Sequence, residues 1–494
     1  MSNIPSVTDV VVIGSGVSGL SAAVTASAAG AKVIVFEKLR SLGGTSNFFK
    51  GTFAVESRQS RERYVTFGRD EAFRAILEYG HWKNNPRLVR AIVDESGKTI
   101  DWLEEQGVEF TELTINMINS PQTYHIVKGE GAAVVKTLAD RAQENGVIIR
   151  TGAPVSRIIK SGDRVAGVVV EGEEDDIEVS AKAVVVASGG YLNNKEWVKK
   201  YTGFDLGENL LPVGNVDKTG DGIRMAFELG AAEEGIGTVE LFRVGPSRQE
   251  LGTGGRLSMA VIQPDLWVNQ AGERFCDEGI TFFDTSEGNA NARHKEGYTW
   301  SIFDDGVLKR IAEEGLDKGI TPESYPGQKI ADLDKDLQAA LETPSDDLFE
   351  ADTVEELAEK MGIEPAVLRA TVDEYNSFCA KGHDDIFDKN PKLLRPIIGP
   401  KYYVAKANTV CLGTMGGIKV NQNMEVLDKS NKVILGLYAV GYDAGGMYGN
   451  DYCMHVASGL SSAFAINSGR IAGRNATDYC NRSVSYTHLR AHET

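Results

Sequence analysis

A short β-branched run that ends in a Gly-x-Gly-x-x-Gly turn, an acid closing the next such run, and similar glycine turns returning after a long stretch of different texture predict an α/β fold. The expected architecture is a discontinuous domain of the Rossmann type carrying an inserted α+β capping domain. The spacing assigns 1–236 to the first part of the nucleotide-binding domain, 237–404 to the insertion, 405–480 to the second part and 481–494 to a disordered or artefactual tail.

Asp9-Val10-Val11-Val12-Ile13 is apolar throughout, the pattern of a strand buried on both faces of a parallel sheet. After the glycine turn, the small apolar residues of 17–29 suit a helix lying close to that sheet, and 32–36 is a second buried strand. Helical periodicity recurs at 71–79, 86–106 and 132–145, the last closed by Gly146. Residues 147–172 alternate around Ser161-Gly162-Asp163 and predict an antiparallel hairpin. A further strand, 183–187, runs into Ser188-Gly189-Gly190. From 237 to 403 the glycine signals thin out, with a charged loop over 343–352 and one helical pattern over 353–380. The glycine turns resume at 414–417 and 436–441, and a helix over 458–476 follows.

Composition bounds the function. A net charge of −18 repels phosphate backbones, so no nucleic acid partner is expected. No run reaches the ~18 apolar residues of a membrane span, so no membrane association is expected. Cys276, Cys379, Cys411, Cys453 and Cys480 lie far apart without a Cys-x-x-Cys pair, so no metal is expected. The first eight residues lack a basic segment followed by an apolar one, which predicts a cytoplasmic protein. His488 and His492 fall in the tail and are assigned no function.

In Gly14-Ser15-Gly16-Val17-Ser18-Gly19, the first glycine permits the tight turn, the second lets backbone N–H groups reach a pyrophosphate, and the third lets helix and sheet approach. Glu37, ending the second strand, is placed for ribose hydroxyls and disfavours a 2′-phosphate, which leaves FAD or NAD. The return of glycine turns after a large insertion, with Leu42-Gly43-Gly44-Thr45-Ser46 following Glu37 closely, favours FAD.

These segments, with Thr219-Gly220-Asp221-Gly222, 268–275, Thr414-Met415-Gly416-Gly417, 436–441 and 469–473, make the chain resemble the FAD-dependent oxidoreductases that include soluble fumarate reductases, urocanate reductases and 3-ketosteroid dehydrogenases, over roughly 9–476. The resemblance implies an extended FAD with the inserted domain closing over the isoalloxazine. It implies that Gly14, Ser15, Gly16, Val17, Ser18, Gly19, Glu37, Lys38, Gly43, Gly44, Thr45 and Ser46 surround the ADP half and pyrophosphate. Val155 would meet the adenine, and Gly51, Ala187, Ser188, Gly189, Asp221 and Gly441 would line the rest. Where fumarate reductases have an acid after the glycine matching Gly441, this chain has Tyr442 and then Asp443, so either one is a candidate for the ribityl hydroxyls.

Three positions depart from the fumarate reductase pattern: a histidine, a proton-donating arginine and a substrate-binding arginine are matched by Gly413, Phe283 and Tyr452. A buried carboxylate stripped of such a partner loses ~2–5 kcal/mol, which argues against a dicarboxylate. Phe282, Phe283, Tyr442, Met447, Tyr448, Tyr452 and Met454 suit a flat, neutral, carbonyl-bearing molecule instead. Ketosteroid dehydrogenases use tyrosines for such work. By that resemblance Tyr452 is the proton donor or acceptor, assisted by Tyr448 and Tyr124. Arg243 would pair a carboxylate if it reached the pocket. His125, His455, Arg274 and Glu278 are read as structural.

The expected function is therefore an FAD-dependent oxidoreductase acting on an activated carbon–carbon bond of a small-molecule enone such as a 3-oxosteroid, with a separate electron donor or acceptor. The alternatives are a reductase of an enoate (aryl acrylate, urocanate-like or fumarate-type acid) and a flavoprotein electron-transfer subunit.

Overall fold

The computed structural model describes residues 4–172, 174–214, 216–245, 256–319 and 324–491. The chain forms two compact units. One comprises Met1–Gly203, Gly214–Glu240 and Leu412–Thr494, the other Phe204–Val213 and Leu241–Cys411.

The first unit is built on an eight-stranded sheet with the order Glu425–Leu427, Val433–Ala439, Arg164–Val170, Ile177–Val186, Val7–Ile13, Val33–Phe36 and Ile148–Arg150, and with Val155–Ser161 paired to Arg164–Val170. The strands Val33–Phe36 and Ile177–Val186 flank Val7–Ile13 in parallel. Val10, Val11 and Val12 are fully buried, as apolar residues on both faces of a covered sheet must be. The helix Val17–Ala28 follows the first strand, and the long helix Leu460–Ala491 lies against it. Their separation is set by two small residues: a Cβ at Gly469 would stand 2.1 Å from the Ser18 carbonyl oxygen, and one at Gly473 2.6 Å from that of Ala22. A separate three-stranded sheet joins Gly51–Phe53, Tyr124–Val127 and Phe110–Thr114.

The second unit centres on the strand Tyr402–Thr414, which pairs with Tyr298–Asp304, Leu348–Ala351, Val239–Val244 and Leu211–Pro212. The last pairing, parallel with Leu211 opposite Val410, brings Phe204–Val213 into the inserted unit, although these residues lie ahead of the expected boundary at 237. No local pattern marks a two-residue edge strand, so its placement depends on a partner about 200 positions away. The insertion likewise ends at Cys411 rather than 404, because the strand that carries it continues that far. The charged stretch 343–352 contains the strand Leu348–Ala351, and the pattern over 353–380 divides into Val354–Met361 and Pro365–Lys381. Gly362, with φ of 72°, caps the first helix, and Pro365 occupies the first turn of the second.

The terminal helix also runs on to Ala491, beyond the expected tail boundary at 481, since no Gly or Pro between 481 and 491 breaks it. His492 lies outside the described residues.

A buried ionic cluster holds the second unit together. Arg274 pairs with Glu278 and Asp384, each at 2.8 Å, and Lys389 lies 3.1 Å from Glu278, with all four side chains at most 2% exposed. Burial acts to raise the Asp384 carboxyl, but hydrogen bonds from Arg274 and from the Ile386 and Phe387 amides hold it at about 2. Glu278→Ala would strand two buried cations and should cost about 3–5 kcal/mol. Urea unfolding of the purified protein measures this, and an unchanged midpoint would show that the cluster contributes little.

Candidate flavin and substrate site

The turn after the first strand is defined by steric limits. Gly14 has φ of 108°, and a Cβ there would stand 2.2 Å from the Ala187 carbonyl oxygen. A Cβ at Gly19 would stand 2.1 Å from the Gly14 carbonyl oxygen. Ala187 donates its amide to Ile13, so two parallel strands end side by side at this turn. Glu37 accepts from the Ser15 amide at 3.0 Å and hydroxyl at 2.6 Å through one oxygen, and from the Leu39 amide at 2.9 Å through the other. A carboxylate has about four acceptor positions, so one remains for a ribose hydroxyl.

The second glycine segment docks on the first. Gly43 donates to Ser15 Oγ at 3.1 Å, and Val17 donates to Ser46 Oγ at 3.0 Å. Gly16 faces Ser46, and Gly441 meets Ser18 Oγ. Two observations fit a dinucleotide here. Thr45 Oγ1 is buried with no hydrogen-bond partner among the described residues. Gly44 faces open space, and a Cβ at Gly189 would meet only the Lys218 side chain at 3.9 Å. Val155 is buried at the start of its strand, opposite Val170. Lys38 and Asp221 are brought together at 2.8 Å, and Asp217 and Thr219 complete the group around the ammonium.

Asp443 is fully buried and clamps the Ser188-Gly189-Gly190 turn. It accepts from the Ser188 amide, from Ser188 Oγ at 3.1 Å, from the Gly189 amide at 3.2 Å and from the Gly190 amide at 2.9 Å. Burial raises its carboxyl above the ordinary value, against the lowering effect of those donors.

Tyr442 takes a different course. Its ring occupies the space beside Gly413, where a Cβ would stand 2.5 Å from a ring carbon. Its hydroxyl lies 3.2 Å from Glu240 Oε2 and 2.6 Å from Ser461 Oγ. The Ser461 amide in turn donates to the Tyr452 hydroxyl at 3.2 Å. Tyr448 packs edge-on against Tyr452 with ring centroids 5.7 Å apart, and its buried hydroxyl has no partner among the described residues. Burial first, then the Glu240 charge, pushes the Tyr452 hydroxyl well above its ordinary range; burial and the neighbouring phenols and Glu240 do the same to Tyr448. Both therefore keep their protons at neutral pH. Glu240 and Ser461 were not among the sequence candidates. The signal for Glu240 was present: it is the acid in the otherwise apolar strand run Val239-Glu240-Leu241-Phe242.

The other candidates are placed as follows. The Tyr124 ring lies against Gly51 and Gly459. His125 is held between Ser57 Oγ at 2.8 Å and the Thr123 carbonyl at 3.1 Å, and burial pushes it down to about 4. Arg243 is fully buried within the second unit, donating to Thr299 at 3.0 Å and Ser301 at 2.8 Å with its guanidinium over the Trp267 ring. Burial brings it down to about 10. Phe283 belongs to the same unit and is 43% exposed.

The family model described as an FAD binding domain matches residues 9–452. The chain belongs to this FAD-binding family. It binds FAD and is an oxidoreductase of the CH–CH class. It is 33% identical to the vinyl phenol reductase of Lactiplantibacillus plantarum, over 97% of this chain and 98% of that protein. The open conformation of a flavocytochrome c3 fumarate reductase is 28% identical and superposes with a TM-score of 0.75, over 97% of this chain and 79% of that one. The 3-ketosteroid Δ1-dehydrogenase of Sterolibacterium denitrificans, in complex with 1,4-androstadiene-3,17-dione, shares the fold with a TM-score of 0.78 at 19% identity, over 96% and 100% of the two chains.

Asp443→Ala removes four hydrogen bonds to the 188–190 turn. At about 1.5–3 kcal/mol for a charged hydrogen bond, retention of FAD should weaken by roughly 10–100-fold. The measurement is flavin absorbance after desalting; full retention would show that the turn holds its shape without the clamp.

Proposed function

We propose that this chain reduces the double bond of a small aryl alkene, with Tyr452 supplying the proton. The relative of near-equal length acts on a vinyl phenol by its name, whereas the ketosteroid dehydrogenase contributes fold likeness alone. The support thus lies nearer the alternative, a reductase of an enoate, than the 3-oxosteroid reading, and within that group of small conjugated substrates we take the vinyl phenol type. The observation that carries the reading is the pair of buried phenols, Tyr448 and Tyr452, one of them with a hydroxyl that no described residue satisfies. A buried polar group is normally hydrogen-bonded, and a bound molecule with an oxygen at that point would satisfy it.

FAD, which the 14–19 turn, Glu37 and the 188–190 turn would hold, would supply the hydride chemistry at the double bond. The protein has to bring a proton to the neighbouring carbon and hold the alkene still. Tyr452 accepts from the Ser461 amide, which orients its oxygen, and in this reading its hydroxyl is the acid that delivers the proton. Its raised affinity for that proton means the acid form persists through neutral pH. Tyr448 positions the substrate by donating to its polar end. Arg243, spent on Thr299 and Ser301, plays no part in this reading.

Tyr452→Phe should lower the rate at which 4-vinylphenol reoxidises the dithionite-reduced enzyme by about 10²–10⁴-fold, while the flavin still binds and reduces. Stopped-flow recovery of the oxidised flavin band measures this, and a variant as fast as wild type would remove Tyr452 from the role. Tyr448→Phe should raise KM more than it lowers kcat, by roughly 10-fold for one lost hydrogen bond. An unchanged KM would mean that its hydroxyl meets no substrate.

A further inference from the structure

We propose that Glu240, acting through Tyr442 and Ser461, selects substrates by the group they carry away from the double bond: a hydroxyl that donates a hydrogen bond is accepted, and a carboxylate is rejected. The inference rests on the aryl-alkene reading and deepens it by naming the substrate class as neutral phenols.

The geometry assigns a direction to the hydrogen bonds. We take Glu240 as ionised, the form in which a carboxylate accepts only. The Tyr442 hydroxyl, 3.2 Å from Glu240 Oε2, therefore gives its single proton to Glu240. The 2.6 Å contact between Tyr442 and Ser461 Oγ is then one in which Ser461 donates and Tyr442 accepts. With its proton spent in this way, Ser461 Oγ has lone pairs to offer and nothing to give. Glu240, buried at 3% exposure, thus makes the half-buried end of the chain at Ser461 an acceptor. Ser461 stands in the first turn of the terminal helix, and its amide holds the Tyr452 hydroxyl.

A phenolic O–H completes this chain: it donates to Ser461 Oγ, and its oxygen accepts from Tyr448. A carboxylate would place acceptor against acceptor and a negative charge near Glu240, which costs several kcal/mol in a desolvated site. Gly413 belongs to the same device. The Tyr442 ring fills the volume a side chain would need there, so the position that matches a histidine in fumarate reductases holds the ring that carries the relay.

The test compares binding and turnover in FAD-loaded enzyme. Binding of 4-ethylphenol, 4-ethylanisole and 4-ethylbenzoate is followed by the perturbation of the oxidised flavin spectrum, and turnover of 4-vinylphenol, 4-methoxystyrene and 4-vinylbenzoate by reoxidation of the reduced enzyme. Wild type should bind the phenol at least ~10-fold more tightly than its methyl ether and the benzoate most weakly. Glu240→Gln should bring the phenol-to-benzoate ratio down by ~10-fold or more. Tyr442→Phe, which cuts the relay but keeps the charge, should lose the preference for phenol over ether while still rejecting benzoate. A Glu240→Gln protein with wild-type ratios overturns the inference, as does a Tyr442→Phe protein that still prefers phenol to ether. Should one variant not retain FAD, the other decides. If wild type reduces none of the three alkenes, the aryl-alkene reading fails, while the binding ratios still report on the polarity of the chain.

Discussion

The Asp443 carboxylate joins the two ends of the discontinuous FAD-binding domain. It comes from the segment that follows the insertion and takes hydrogen bonds from the Ser188, Gly189 and Gly190 backbone, some 250 positions earlier. Burying a carboxylate is expensive unless donors surround it, and here the donors belong to a turn that would otherwise have unsatisfied amides of its own. Each side therefore needs the other. The 188–190 turn also meets the helix Asp221–Glu228 through Ser188 Oγ, which accepts from Gly222 at 3.1 Å. The shape of the cradle follows from this one buried charge and the glycines that leave room beside it.

In the proposed site the neighbouring residue, Tyr442, sets the character of the substrate face. Its ring stands where Gly413 leaves space, and its hydroxyl is committed to Glu240 and Ser461. A site whose hydroxyls are oriented by a carboxylate is electrostatically the opposite of one lined by guanidinium groups. On the proposed reading it suits uncharged, hydrogen-bonding aromatic molecules, and the protonated phenols Tyr448 and Tyr452 complete it. On that reading the distinction between a charged and a neutral substrate arises from a few side chains on a fold that the flavocytochrome c3 fumarate reductase shares.

The first glycine turn was legible in the chain because its signals are local. Gly19 is constrained by Gly14, Gly14 by the end of the adjoining strand at Ala187 and Gly16 by Ser46 of the second glycine segment, and Glu37 follows at a characteristic distance. The central strands were readable for the same reason, since burial on both faces demands an unbroken apolar run. The inserted unit was harder to delimit. Phe204–Val213 joins it through an edge pairing two residues long, and the break at Gly362 and Pro365 sits inside what reads as one helical stretch. Arg243, an open question in the sequence, is spent on two hydroxyls and the Trp267 ring in the core of the second unit.

The sequence by itself determined the glycine turns, the parallel sheet and the preference for FAD, because each is signalled by glycine spacing and apolar runs that can be read within a few tens of residues. Only the tertiary structure decided which polar groups meet. Lys38 and Asp221, separated by 183 positions, and Glu240 and Tyr442, separated by 202, become partners through the path of the folded chain. Hydrogen bonds act over about 3 Å, so which residues make them is settled only when the sheet, the helices and the terminal segment have taken their places.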